Sequence, residues 1–225
     1  MKMRKNTNPK ARLKPPEIEE IFRRFQKASP SPTTELEYVN PYTLLVAVVL
    51  SAQATDAGVN KATRTLFKKI DTPEKMVKLG EAKLREAIGT IGLYRMKAKN
   101  VIALSKKLIE EFDSEVPDNH EALESLAGVG RKTANVILNT IYKQPTMAVD
   151  THVFRVSNRT GLAHGQSPRE VEDGLLRNIP GKYLFNAHHW LILHGRYVCV
   201  ARKPHCPQCI IRDICLYPDK TLEPL

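Results

Sequence analysis

The chain has 225 residues, 42% of them hydrophobic, and a formal net charge of +11. That suits one large domain or two small ones with a real core, and a pI near 9.5 calls for a polyanionic partner, nucleic acid or an acidic membrane surface. No apolar run approaches the roughly 18 residues of a membrane span, and no secretory signal is visible, so a membrane or secreted protein is not expected and the reading is cytoplasmic.

In chain order, Met1–Pro16 is polar and carries Lys2, Arg4, Lys5, Lys10, Arg12 and Lys14 without an acid. It reads as a flexible solvated tail, with a DNA-contacting arm as the alternative. Helices are predicted near 17–28, 41–53, 56–69, 73–79, 81–88, 95–112, 120–126, 131–142, 151–161, 168–178 and 183–198. The start signals repeat: Asn40-Pro41, Thr72-Pro73 and Ser167-Pro168 each place a capping side chain before a proline suited to the first helical position. Ser167 and Glu170 also have the spacing of a capping box. Leu44–Leu50, the longest apolar run, suits a buried helix. No stretch alternates with period two, so the expected class is all-α. Ser29-Pro30-Ser31-Pro32 and Lys143-Gln144-Pro145 read as two crossings. They divide the chain into a unit 34–144 and a second unit made of 1–33 with 145–225.

Helix 131–142 has Ala134, Ile137, Leu138 and Ile141 at the spacing of a buried face. Lys132, Asn135 and Asn139 fall on another face, so Lys132 is not a core residue by pattern and is expected to look outward or into a groove. Ahead of it, Leu126-Ala127-Gly128-Val129-Gly130 lies between two short helices as a helix–hairpin–helix pattern. Its glycines let backbone N–H groups approach a phosphate, and the helix start adds orphan donors. Such donors, with Arg131 beside them, grip a backbone without reading sequence. A lysine at that place is either one more phosphate contact or a nucleophile, and the residues alone leave both open. Asp150, in Val149-Asp150-Thr151-His152, is either a helix cap or a carboxylate that stabilises a developing oxocarbenium ion. The two roles are compatible.

All four cysteines lie between Cys199 and Cys215, spaced C-x6-C-x2-C-x5-C with Cys206 and Cys209. Clustering without a leader indicates a metal or cluster site in a reducing compartment. Four thiolates hold either tetrahedral zinc or a [4Fe–4S] cluster. A single C-x2-C knuckle leans toward the cluster. Arg196, Arg202, Lys203 and Arg212 surround the cysteines and would offset the cluster's charge. His188, His189 and His194 are off the spacing of one helix face and are read as structural. Trp190 and Leu191 are read as core.

Together, L-A-G-V-G-R-K-T-A-N-V, A-V-D-T-H-V-F-R-V, L-S-A-Q-A-T-D, G-T-I-G-L-Y and the cysteine tail resemble the endonuclease III family over residues 17–217. The resemblance implies a two-domain helix-hairpin-helix DNA glycosylase fold, a six-helix domain plus an iron–sulfur domain, with DNA between them. It implies a bifunctional DNA glycosylase and abasic-site lyase that excises oxidised pyrimidines from duplex DNA. By motif, Lys132 is the Schiff-base nucleophile, Asp150 its carboxylate partner, and Cys199, Cys206, Cys209 and Cys215 the [4Fe–4S] ligands. Gln53 resembles the residue that fills the space left by the flipped nucleotide, and Ile91 and Leu93 the apolar wedge. Gly128, Val129, Gly130 and Arg131 would hold the DNA backbone. The partner implied is double-stranded DNA with damaged bases or abasic sites, met by a monomer in a bacterial cytoplasm, at the nucleoid. The family hairpin has proline where Ala127 stands, so a less preset turn is expected. Two rivals remain. A related adenine-mismatch glycosylase would need an acid within Tyr42–Leu50, which has none. A non-catalytic DNA-binding protein with structural zinc would not nick abasic DNA.

Overall fold

The computed structural model of the protein describes residues 12–221. Among them are eleven α-helices and no strand: α1 (Pro15–Ala28), α2 (Pro41–Ser51), α3 (Asp56–Phe67), α4 (Pro73–Leu79), α5 (Glu81–Ala87), α6 (Tyr94–Glu111), α7 (His120–Glu124), α8 (Arg131–Thr140), α9 (Thr151–Thr160), α10 (Pro168–Asn178) and α11 (Gly181–Tyr197). A 3-10 turn follows at Cys206–Gln208. The helices start where the local chemistry says. Asn40 Oδ1 accepts the Thr43 N–H at 2.9 Å, Thr72 Oγ1 the Lys75 N–H at 3.3 Å, and Ser167 Oγ the Glu170 N–H at 3.3 Å. Glu170 reaches back to the Gln166 N–H at 2.9 Å, one residue earlier than a capping box would.

The chain forms two compact units, Thr34–Gln144 and the remainder from both ends. In the first, α2 is the central rod, buried continuously from Tyr42 to Leu50. Leu84, Ile88, Leu104, Leu108, Leu123 and Ile137 from the surrounding helices share its core, all fully enclosed. This unit has seven helical segments, where the resemblance implies six. α4 and α5 abut at Gly80, which ends one and starts the other at φ +82°. Counted as one bent rod, they restore the number.

In the second unit, α1 supplies Ile18, Ile21, Phe22 and Phe25 to a core completed by Val153 and Val156 of α9, Val171 and Leu175 of α10, and Trp190 and Leu191 of α11. Phe22 stacks on Tyr183 at 5.8 Å, and the Trp190 indole N–H donates to the Ser29 carbonyl at 2.8 Å. Truncating the fully enclosed Phe22 would cost about 3–5 kcal/mol. Of the basic segment 1–16, residues 1–11 lie outside the described residues. The rest is no tail: Leu13 is 6% exposed, and its N–H donates to the Gly161 carbonyl at 3.5 Å. Its apolar side chain starts the core, and α1 begins at Pro15, two residues before the expected place.

Candidate functional site

The two loops expected to work against the DNA stack meet in the first unit. Gln53, just past the end of α2, has φ 53°, and Leu93, which caps α6, has φ 60°. Left-handed backbone at a non-glycine residue is uncommon and collects at functional sites. A Cβ on Gly92 would stand 3.7 Å from the Gln53 carbonyl, so the loops touch through backbone. The apolar pair divides. Leu93 is 60% exposed, whereas Ile91 is 4% exposed. The wedge reading therefore narrows to Leu93, and Ile91 anchors the loop from the core.

At the hairpin, Gly128 has φ +80°, and a Cβ there would lie 2.9 Å from the Asn100 side chain. Glycine is required both by the backbone and by that approach. The turn closes with the Val129 N–H on the Leu126 carbonyl at 3.1 Å, with alanine at 127. Gly130 then starts α8 in extended backbone, φ −107°, with no side chain to cap the helix. The first N–H groups of a helix have no partner within it, and here no side chain caps them. Lys132, in the first turn, is exposed. Arg131 lies 4.0 Å from Glu124, a weak surface pair. Val129 is buried and serves the turn rather than its surface. Asn135 and Asn139 on the same helix are buried: Asn135 Oδ1 meets His120 Nε2 at 2.7 Å, and Asn139 donates to the Gln144 carbonyl at 3.2 Å. These bonds tie α8 to α7 and to its own exit. Periodicity treats a polar side chain as solvent-facing and misses such pairs.

In the second unit, Asp150 caps α9. Its Oδ1 accepts the N–H groups of His152 at 2.9 Å and Val153 at 2.8 Å. Oδ2 carries neither bond, so the carboxylate is fixed while one oxygen stays available. The preceding segment is buried at Met147, Ala148 and Val149. The Ala148 carbonyl faces Nδ1 of buried His188 at 2.9 Å. This support crosses forty residues of sequence, and no local signal marks it. Arg155 donates to the Gly195 carbonyl at 2.7 Å and to the Cys199 carbonyl at 3.0 Å. Gly195 lets α11 press on α9, because a Cβ would fall 2.8 Å from that of His152 and 3.2 Å from its backbone.

Cys199, Cys206, Cys209 and Cys215 line one cavity with about 340 Å³ of empty space, measured out to its open mouth. Among the described residues no three His, Cys, Asp or Glu side chains close on a point as the ligands of one ion do. Four thiols lining one cavity can supply the ligands of a metal centre. Burial pushes the Cys209 thiol up to about 11 and raises Cys215 as well. Loading the site must therefore displace protons. His194 Nε2 stands 3.7 Å from Cys209 Sγ, and burial pulls its imidazole down to about 4, so the ring is neutral. One guanidinium beside the sulfurs has no marker in the cysteine spacing. Arg159 of α9 points Nη1 at Cys199 Sγ, 3.8 Å away, and donates to the carbonyls of Val200 at 2.7 Å and Ala201 at 2.8 Å. Its i, i+4 spacing from Arg155 was the available clue. Arg202, Lys203 and Arg212 lie exposed around the loop.

The chain matches the HhH-GPD superfamily of base excision DNA repair proteins over residues 46–180 and the iron–sulfur binding domain of endonuclease III over residues 199–215. Endonuclease III of Haemophilus influenzae is 56% identical over 201 residues, which cover 89% of this chain and 95% of that protein. This chain belongs to the endonuclease III family. Solved structures agree. A trapped covalent endonuclease III–DNA intermediate, an estranged-adenine complex, superposes with a TM-score of 0.84 at 43% identity, covering 90% of this chain and 96% of the other. A non-covalent endonuclease III–DNA complex gives 0.85 at 44%, covering 90% and 95%. As an endonuclease III homologue the protein is a bifunctional DNA glycosylase and abasic-site lyase with the all-helical fold of that family, and DNA is its partner. Its cofactor is a [4Fe–4S] cluster, which the four-thiol cavity fits.

Proposed function

We propose that the protein removes oxidised pyrimidines from duplex DNA and nicks the abasic site through an imine on Lys132. The observation that carries this is the exposed lysine in the first turn of α8, beside a hairpin whose helix start has no side-chain cap. The N–H groups at Gly128–Gly130 hold the backbone next to the lesion, and the damaged nucleotide leaves the stack. The free amine of Lys132 attacks C1′ as the glycosidic bond breaks, and the base departs with the bonding pair. Asp150 balances the positive charge at the sugar and accepts the proton released from nitrogen. The imine forms as the ring C1′–O4′ bond opens, and O4′ takes the proton that Asp150 accepted. Loss of a C2′ proton then expels the 3′ phosphate, and water releases the lysine. When bound, the cluster ties the cysteine loop into one rigid body that sets its basic side chains toward DNA.

Tyr42–Leu50 is buried and carries no carboxylate, which favours this reading over the adenine-specific branch. The protein acts as a monomer, in the cytoplasm at the nucleoid. In line with this, no helix among the described residues is long and apolar enough to cross a membrane. Borohydride reduction on a duplex with one abasic site tests the assignment. Wild type should give a covalent complex and Lys132→Gln none; equal trapping by the variant would overturn it.

A further inference from the structure

Met96 lies one turn beyond Leu93 on α6 and is equally exposed, at 60%. Scattered exposed apolar residues are ordinary, but a contiguous pair asks for a partner. Leu93, Met96 and Asn100 stand at i, i+3 and i+7, the spacing of one helix face. Helical side chains lean toward the N-terminus, so Met96 lies over the turn that holds Leu93. At the other end of the same stripe, Asn100 touches the hairpin at Gly128. The opposite face is core, with Lys97, Ala98, Val101 and Leu104 buried. Beside the stripe, Arg95 folds over the Tyr94 ring at 5.5 Å and leaves Met96 uncovered. Met96 thus fills the interval between the wedge residue and the phosphate grip.

We propose that Met96 is a second part of the wedge, a positioning residue whose thioether packs on the opened base step between Leu93 and the hairpin. This rests on the reading of Leu93 as the wedge. The occupant is duplex DNA with an extruded nucleotide. Its continuity with the hairpin argues for this, as does the chemistry: an unbranched, polarizable side chain adapts to base faces of differing shape. The residue touches no reacting atom and acts by holding the gap open.

The test compares binding to a duplex with one tetrahydrofuran site and to the same duplex undamaged. A 2-aminopurine opposite the site reports unstacking. Met96→Ala and Met96→Gln should weaken binding to the gapped duplex by about tenfold, the scale of one lost apolar contact. They should leave the undamaged duplex unchanged and reduce the 2-aminopurine signal, while Met96→Leu restores both. Wild-type behaviour in Met96→Ala and Met96→Gln alongside a defect in Leu93→Ala would overturn the proposal and leave the wedge reading standing. No defect in Leu93→Ala either would overturn both. A defect equal on the two duplexes would make Met96 a general contact and also overturn it.

Discussion

Two helix starts carry the residues assigned to chemistry, and they are built in opposite ways. α8 begins at Gly130 with no side chain to satisfy its first N–H groups, and its lysine stands in the open. α9 begins at Asp150, whose own carboxylate closes the end with two hydrogen bonds. An open start is a site for someone else's anion, whereas a closed one is a mount for its own. On the proposed function, the first would give up stability for binding, and the second would use stability to hold a charge still.

The largest expected effect separates the two jobs of Asp150. Asn caps a helix nearly as well as Asp, so Asp150→Asn should keep the melting temperature close to wild type while base release falls by about 10²-fold or more. Asp150→Ala should lose the same activity and a further ~1 kcal/mol of stability by urea titration. Equal stability in the two variants would deny the mount. Next is the hairpin. Gly128→Ala forces a Cβ into left-handed backbone against Asn100, and should cost on the order of 1–3 kcal/mol with weaker binding to undamaged duplex. The support behind Asp150 comes third. His188→Ala removes the partner of the Ala148 carbonyl and should cost about 2 kcal/mol. It should also slow base release without changing affinity for undamaged DNA. Smallest in stability is Gly130→Ser, where a Cβ meets nothing within 4 Å. The new cap should raise stability by only a few tenths of a kcal/mol yet weaken DNA binding, because the hydroxyl competes for the same N–H groups. Unchanged binding in a stabilised variant would mean that the open start is not used.

These helix starts were legible because their signals are local: Asn40, Thr72 and Ser167 act within three residues of themselves. The choice of Lys132 as nucleophile was not. It came from motif order shared with a family, since a lysine at a phosphate site is chemically ambiguous. What stayed dark depends on the fold bringing distant residues together. His188 under Ala148, Arg159 on Cys199 and His120 on Asn135 join residues fifteen to forty apart. Ile91 and Leu93 looked equivalent because composition does not report φ. One turns inward and the other, in left-handed backbone, turns out.

α6 also sets a measure. From Leu93, the cap of α6, to Asn100 within the helix there are seven steps, about 10 Å at 1.5 Å each. Stacked bases along a strand are spaced about 3.4 Å apart, so a helix of that length laid along a strand would match three nucleotides. A protein that reads no sequence there can still count. On the proposed wedge and grip, the rod would hold the opened step at a constant offset from the clamped phosphate, whatever bases lie between. One residue inserted into that stretch would lengthen it by about 1.5 Å and turn its far end by about 100°. The ruler would then lose both its length and its alignment.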